Sequence, residues 1–214
     1  MNTTDKAIKT TLNERTICHY PRVLRVVQRV FSFLFRLRGW TFDDQLPRSK
    51  KYVMVVAPHT SNWDFFLMVS MGAALKRQVR FMGKHSIFIG PLAPLLRWLG
   101  GIPVERNSHH NFVEQMVQQF ADCDDMVLVI APEGTRSKVD AWKGGFYHIA
   151  AGAKVPVVAV ALDYGRRRVG IVAEVLPSGD LHADMAAIAR AYQGVTACHP
   201  QLDGFPRNER LVKP

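Results

Sequence analysis

Within the 214 residues, the segment His59-Thr60-Ser61-Asn62-Trp63-Asp64 holds the pair best suited to proton transfer. Imidazole titrates near neutral pH, and a carboxylate on one ring nitrogen fixes the tautomer and leaves the other nitrogen as a base. On one continuous helix, residues five apart point about 140° away from each other, so the two side chains cannot meet there. The segment, however, follows a buried-strand run, Tyr52–Ala57 (YVMVVA), closed by Pro58. A strand-end turn removes the difficulty. Ser61 or Asn62 is a natural N-cap, which leaves His59 on the loop and Asp64 in the first helical turn. Spacing alone is a weak signal, because such a pair arises readily by chance and a lone histidine is commonly structural.

A second segment, Pro132-Glu133-Gly134-Thr135-Arg136, follows another apolar run, Met126–Ala131. Glycine permits a tight turn, and arginine offers a planar fork of donors suited to a phosphate monoester. The same residues also fit an ordinary strand-end turn with a local Glu–Arg pair. A third, Gly100-Gly101-Ile102-Pro103-Val104-Glu105-Arg106, approaches another arginine through two glycines and by itself is no more than a turn.

Taken in order, these segments resemble the glycerolipid acyltransferases of the lysophosphatidic acid acyltransferase family. That family carries a His-x4-Asp block, a block ending in Arg after Ile-Pro-Val, a Glu-Gly-Thr-Arg block and a Val-Pro block. The counterparts are His59…Asp64, Ile102 to Arg106, Glu133 to Arg136, and Val155-Pro156-Val157-Val158. Ala159 stands where the last block often has a second proline, a departure that bears on acceptor preference more than on catalysis. The resemblance implies an α/β fold with a central mixed sheet flanked by helices, the glycerol-3-phosphate acyltransferase-like architecture. It implies transfer of a fatty acyl group from a thioester, acyl-CoA or acyl carrier protein, to the hydroxyl of a lysophospholipid. The first acceptor implied is 1-acyl-glycerol-3-phosphate, with an amino-acid lysolipid as the alternative. His59 becomes the general base and Asp64 its orienting partner. Arg106 and Arg136 become phosphate ligands, with Glu133, Gly134 and Thr135 shaping that pocket. No metal is implied, and no cofactor beyond the thioester co-substrate. The chain has no Gly-x-Ser-x-Gly elbow, which agrees with direct attack on an already activated thioester.

The elements that must position these residues alternate as in an α/β domain. Helical spacing runs over Trp63–Lys76, Pro91–Leu99, Asn111–Asp122, Phe146–Ala153 and Leu181–Tyr192. Further strands are expected at Val79–Met82, Ile102–Val104, Val155–Leu162 and Val169–Val172. Ahead of them, Arg22–Trp40 reads RVLRVVQRVFSFLFRLRGW, too often broken by arginine to span a bilayer. Wound as a helix, Arg22, Arg25, Arg29 and Arg36 fall within an arc of about 60°, and valine, leucine and phenylalanine fill the other side. A wide apolar face beside a compact basic stripe suits a helix lying in a membrane interface; a core-packed helix with a solvated basic face is the alternative. The expected organisation is an N-terminal segment, 1–45, carrying this helix, and an acyltransferase domain, 46–214.

The net charge of +10 points to a polyanionic partner. Eleven Lys/Arg against four Asp/Glu within residues 1–51 place most of that excess in the N-terminal quarter that carries the amphipathic segment. An anionic membrane surface is therefore favoured over nucleic acid, for which no module signature appears; a basic binding module without catalysis is the rival class. The cluster Tyr164-Gly165-Arg166-Arg167-Arg168 is the feature that rival would use. Walker and Gly-x-Gly-x-x-Gly loops are missing, and so is any His-Glu-x-x-His metal motif. Three widely spaced cysteines (Cys18, Cys123, Cys198) and a polar first twenty residues suit reduced thiols and no signal peptide. The expectation is a protein held peripherally at the cytoplasmic face of the cell membrane.

Overall fold

A computed structural model describes residues 14–43, 47–75, 77–104, 109–204 and 212–213. After a short 3-10 turn at Ile17–His19, the elements in chain order are α1 (Pro21–Leu37), β1 (Thr41–Phe42), β2 (Lys51–Ala57), α2 (Trp63–Leu75) and β3 (Val79–Lys84). They continue with α3 (Ala93–Trp98), β4 (Gly101–Val104), α4 (His109–Asp122), β5 (Met126–Ile130), β6 (Trp142–Lys143) and α5 (Gly145–Ala153). The last are β7 (Val157–Asp163), β8 (Arg168–Val175), α6 (Leu181–Ala191) and β9 (Val212–Lys213). Seven strands form one mixed sheet in the order β1-β8-β7-β2-β5-β3-β4, flanked by helices as expected. The strands from β7 to β4 are parallel, and β8 returns antiparallel to β7.

Strands β2, β5 and β7 are near-continuous apolar runs because both of their faces are covered. Alternate residues serve the two sides. Val53, Val55 and Ala57 pack with Phe112, Met116 and Phe120 of α4, Phe146 of α5, and Met185 and Ile188 of α6. Tyr52, Met54 and Val56 pack with Leu67 and Met71 of α2, and with Phe35 and Trp40 at the end of α1. The β8 run is longer than Val169–Val172 because its outer part is only half-buried, so it alternates rather than reading as one apolar block. The two-residue strand β1 gave no periodicity to read; it is pinned to β8 by backbone pairing and by a two-pronged Arg168–Asp43 ion pair.

Helix α1 divides into three faces. Leu24 and Phe35 are buried, with Val27 and Phe31 packed beside them. Arg22, Arg25, Arg29 and Arg36 are exposed. Val23, Val26, Val30, Phe33, Leu34 and Leu37 are exposed as well. Part of the apolar face is thus packed into the protein and part is left exposed. In the segment Pro91–Leu99, Ala93 is buried while Leu92 and Leu95 face outward. No helix among the described residues is long and apolar enough to cross a membrane.

These faces make opposite predictions for two neighbouring phenylalanines. Phe35→Ala removes a buried ring and should cost about 3–5 kcal/mol. Phe33, 62% exposed, should tolerate serine within about 0.5 kcal/mol. Urea unfolding midpoints of the two variants test the assignment.

Candidate active site

Because β7, β2 and β5 are adjacent and parallel, the segments that leave their carboxyl ends meet at one edge of the sheet. Open α/β sheets place ligands there. Strand β2 ends at a cis Ala57–Pro58 bond, and His59 begins the turn into α2. Asp64, in the first turn of α2, folds back over that turn. Its Oδ2 accepts from the Thr60 and Ser61 backbone N–H groups, each at 2.8 Å, and lies 3.2 Å from His59 Nδ1. Ser61 Oγ accepts from Trp63 N–H at 3.2 Å. The Asp64 side chain is 0% exposed and that of His59 is 21% exposed, so the ring reaches solvent while the carboxylate does not. Nδ1 is close to Oδ2 without the alignment of a full hydrogen bond. Ligand-free sites commonly show such loose contacts.

Glu133, carried out of β5, enters the same turn from beneath. Its Oε1 accepts from the His59 backbone N–H at 2.9 Å, and Oε2 has no hydrogen-bond partner among the described residues. Burial raises its pKa from 4.5 to about 7, against the lowering effect of the backbone donors, His59 N–H among them. Glu133 thus braces the histidine loop from its backbone side. Gly134 has φ +63°, and a Cβ there would press on the Lys143 side chain at about 3.1 Å, so the turn requires glycine. Thr135 Oγ1 accepts from Ser137 N–H at 3.3 Å. Arg136 is exposed and donates to Asn62 Oδ1, which brings its guanidinium beside the His59–Asp64 turn. Arg106 lies outside the described residues. Gly100, at the entry to that third segment, has φ +101°, and a Cβ would stand 2.4 Å from the Val79 carbonyl. Lys84 ends exposed at the tip of β3.

The sequence profile of the Acyltransferase family matches residues 40–163, more than half of the chain. The chain belongs to the acyltransferase family. Its relatives include the 1-acyl-sn-glycerol-3-phosphate acyltransferase of Haemophilus influenzae, 25% identical over 161 residues, which cover 71% of this chain and 65% of that protein. The protein of the same name from Salmonella typhimurium is 27% identical over 179 residues, covering 75% of this chain and 71% of that one. The crystal structure of the 1-acyl-sn-glycerophosphate (LPA) acyltransferase from Thermotoga maritima superposes with a TM-score of 0.58 at 18% identity. That superposition covers 89% of this chain and 86% of that one, and establishes a shared fold.

Within this acyltransferase fold, two contacts at the site carry no signal in residue spacing. Tyr164, the first residue after β7, donates its hydroxyl to Asp64 Oδ1 at 2.6 Å. Its place at the carboxyl end of a parallel strand beside β2 is the clue that could have marked it. His199 N–H donates to Thr60 Oγ1 at 3.1 Å, and Tyr164 N–H to the Thr196 carbonyl at 2.9 Å, so the segment after α6 closes over the turn. The neighbouring arginines are occupied locally: Arg166 pairs with Asp163 at 2.7 Å, Arg168 with Asp43, and Arg167 donates to the Arg38 carbonyl.

Glu133 sets a pH dependence. Its folded pKa lies above the ordinary value, so the native state holds the extra proton between about pH 4.5 and 7. The stability this confers is complete below that window and is lost as pH rises through it, by about 3 kcal/mol in all. Glu133→Gln keeps the acceptor for His59 N–H and removes the titration. Urea unfolding at pH 4 to 8 should show the native protein losing ground to this variant as pH rises.

Proposed function

We propose that the chain transfers a fatty acyl group from a thioester to the free hydroxyl of a lysophospholipid, with 1-acyl-glycerol-3-phosphate as the acceptor. The observation that carries this reading is the His59 ring held 3.2 Å from a fully buried Asp64, with the Arg136 guanidinium bonded to Asn62 beside them. The names of the curated relatives support the same acceptor. In the proposed reaction, the outward imidazole nitrogen takes the acceptor's hydroxyl proton as its oxygen attacks the thioester carbonyl. Asp64 stabilises the imidazolium that forms. The tetrahedral intermediate then collapses, the C–S bond breaks, and the imidazolium returns its proton to the departing thiolate of coenzyme A or acyl carrier protein. Arg136 holds the acceptor's phosphate through its guanidinium fork. A Glu133 whose pKa burial pushes up to about 7 is partly protonated near neutral pH, which reduces the negative charge beside that phosphate.

The acceptor is a lipid, and α1 offers a surface for it. Its exposed apolar stripe adjoins the arginine stripe, which suits reversible docking on an anionic bilayer. Trp63 and Phe66 of α2 extend exposed aromatic surface from the start of the catalytic turn to Phe31 of α1, with ring centroids 5.6 and 5.9 Å apart.

Acyl transfer to lysophosphatidic acid, read by mass spectrometry with acyl-CoA and acyl carrier protein as donors, tests the chemistry. His59→Ala should lower kcat by about 10²–10⁴-fold, the contribution of a positioned base. Arg136→Ala should raise KM for the phosphorylated acceptor by about ten- to a hundredfold, the worth of a charge-assisted hydrogen bond, with Arg136→Lys restoring part. Near-native turnover by His59→Ala would remove the base assignment, and an equal effect of Arg136→Ala on acceptor and thioester would make that arginine structural.

Vesicle sedimentation tests the docking surface. Replacing Arg22, Arg25, Arg29 and Arg36 by glutamine should weaken binding to anionic vesicles by about 1 kcal/mol per arginine. The loss should be largest at low salt, where screening is least. Equal sedimentation of native and substituted protein at low salt would exclude an electrostatic contribution from α1.

A further inference from the structure

The two oxygens of Asp64 have different tasks. Oδ2 faces the Thr60 and Ser61 N–H groups and the His59 ring, whereas Oδ1 receives the Tyr164 hydroxyl at 2.6 Å. A carboxylate held at one oxygen can still rotate about its Cβ–Cγ bond; a donor on the second oxygen fixes its plane. Tyr164 is itself fixed. Trp40 meets its ring edge-on, with centroids 4.9 Å apart at 90°, and its backbone N–H bonds the Thr196 carbonyl. Cys198 also lies against the Tyr164 hydroxyl. Burial and the Asp64 carboxylate push that hydroxyl well above the usual phenol range, so it acts as a donor at every working pH.

We propose that Tyr164 is a positioning residue for the His59–Asp64 pair: it sets the carboxylate plane so that Oδ2 meets the ring nitrogen, and Trp40 holds Tyr164 in place. The inference rests on the reading of His59 as the base. Tyr164 touches neither acceptor nor thioester in this scheme, so its effect belongs to kcat and not to either KM. Among the described residues, the ionisable groups facing this contact are His59, Asp64 and Cys198, with Glu133 behind the His59 backbone.

The test uses the full chain as Tyr164→Phe, His59→Ala, the double variant, and Trp40→Phe, each checked by thermal melt. Tyr164→Phe keeps the ring against Trp40 and removes only the donor. Its kcat should fall about 10- to 100-fold, as expected for a hydrogen bond to a charged group, with both KM values within about twofold of native. The acid limb of its pH–rate profile should move to higher pH, because a carboxylate relieved of one donor favours the imidazolium more strongly. On the His59→Ala background the same substitution should cost nothing further, since residues that act as one unit are not additive. Trp40→Phe should show a smaller fall in kcat with the same constant KM values.

A folded Tyr164→Phe with native kcat and pH profile overturns the inference. So does an equal loss with and without His59, which would make Tyr164 merely structural. Should Tyr164→Phe fail to fold, Trp40→Phe decides: reduced kcat at constant KM supports the inference, and native kcat overturns it. Native turnover by His59→Ala would instead remove the base reading itself, so the two failures are separable.

Discussion

A carboxylate shut away from water must collect its hydrogen-bond donors from the protein, at a desolvation cost of several kcal/mol otherwise. Asp64 is in that position, and its donors dictate the architecture around it. Two come from the turn that leaves β2, and the third comes from the residue that leaves β7. Both sources reach one carboxylate only if β2 and β7 are adjacent, parallel and in register, as Val53–Val157 through Ala57–Ala161 are. Strand β5, on the other side of β2, then delivers Glu133 to the underside of the same turn. The central order β7-β2-β5 is thus the condition for the site.

The two buried carboxyl groups differ in how well they are satisfied, and their environments separate their roles. Asp64 has donors on both oxygens. Glu133 accepts from backbone N–H groups, His59 N–H on Oε1 among them, and has no partner among the described residues on Oε2, so burial prevails and the group takes a proton near neutral pH. A group so placed suits anchoring: either protonation state can accept from His59 N–H. On the proposed reading it is poorly suited to contact an acceptor's phosphate, a task that falls to the exposed guanidinium of Arg136.

The parts of this arrangement that were legible in the sequence are those with a local signature. Buried parallel strands announce themselves as unbroken apolar runs, so β2, β5 and β7 were readable from Tyr52, Met126 and Val155 onward. The His59–Asp64 contact was readable because the segment follows a strand run, and a strand-end turn can bring together residues five apart that one α-helix would hold apart. Tyr164 was not, since its partner is a hundred residues away and only the pairing of β7 with β2 joins them. The contact of Glu133 with the His59 backbone was not readable either, because residue type and order say nothing of which side of a turn a side chain takes. Strand β1 was missed for another reason: two residues have no periodicity, and its pairing depends on β8 and Asp43.

Helix α1 shows why its sequence supported two readings. At about 100° per residue, Leu24, Val27, Phe31 and Phe35 form one arc, the arginines a second, and Val26, Val30, Phe33 and Leu37 a third. A projection of apolar against basic residues merges the first and third arcs into one wide face. Packing separates them: the first arc is committed to α2 and the 3-10 turn, and the third stays exposed. The helix end is then tied down through Phe35 and Trp40, which meet edge-on 6.1 Å apart, and Trp40 passes on to Tyr164 and Asp64. The exposed stripe is therefore carried on the same packed frame as the His59–Asp64 pair. On the proposed reading, a lipid acceptor met at that stripe is presented at a constant distance and angle from His59, and orientation of this kind is what a reaction between a surface-bound hydroxyl and a thioester most needs from its enzyme.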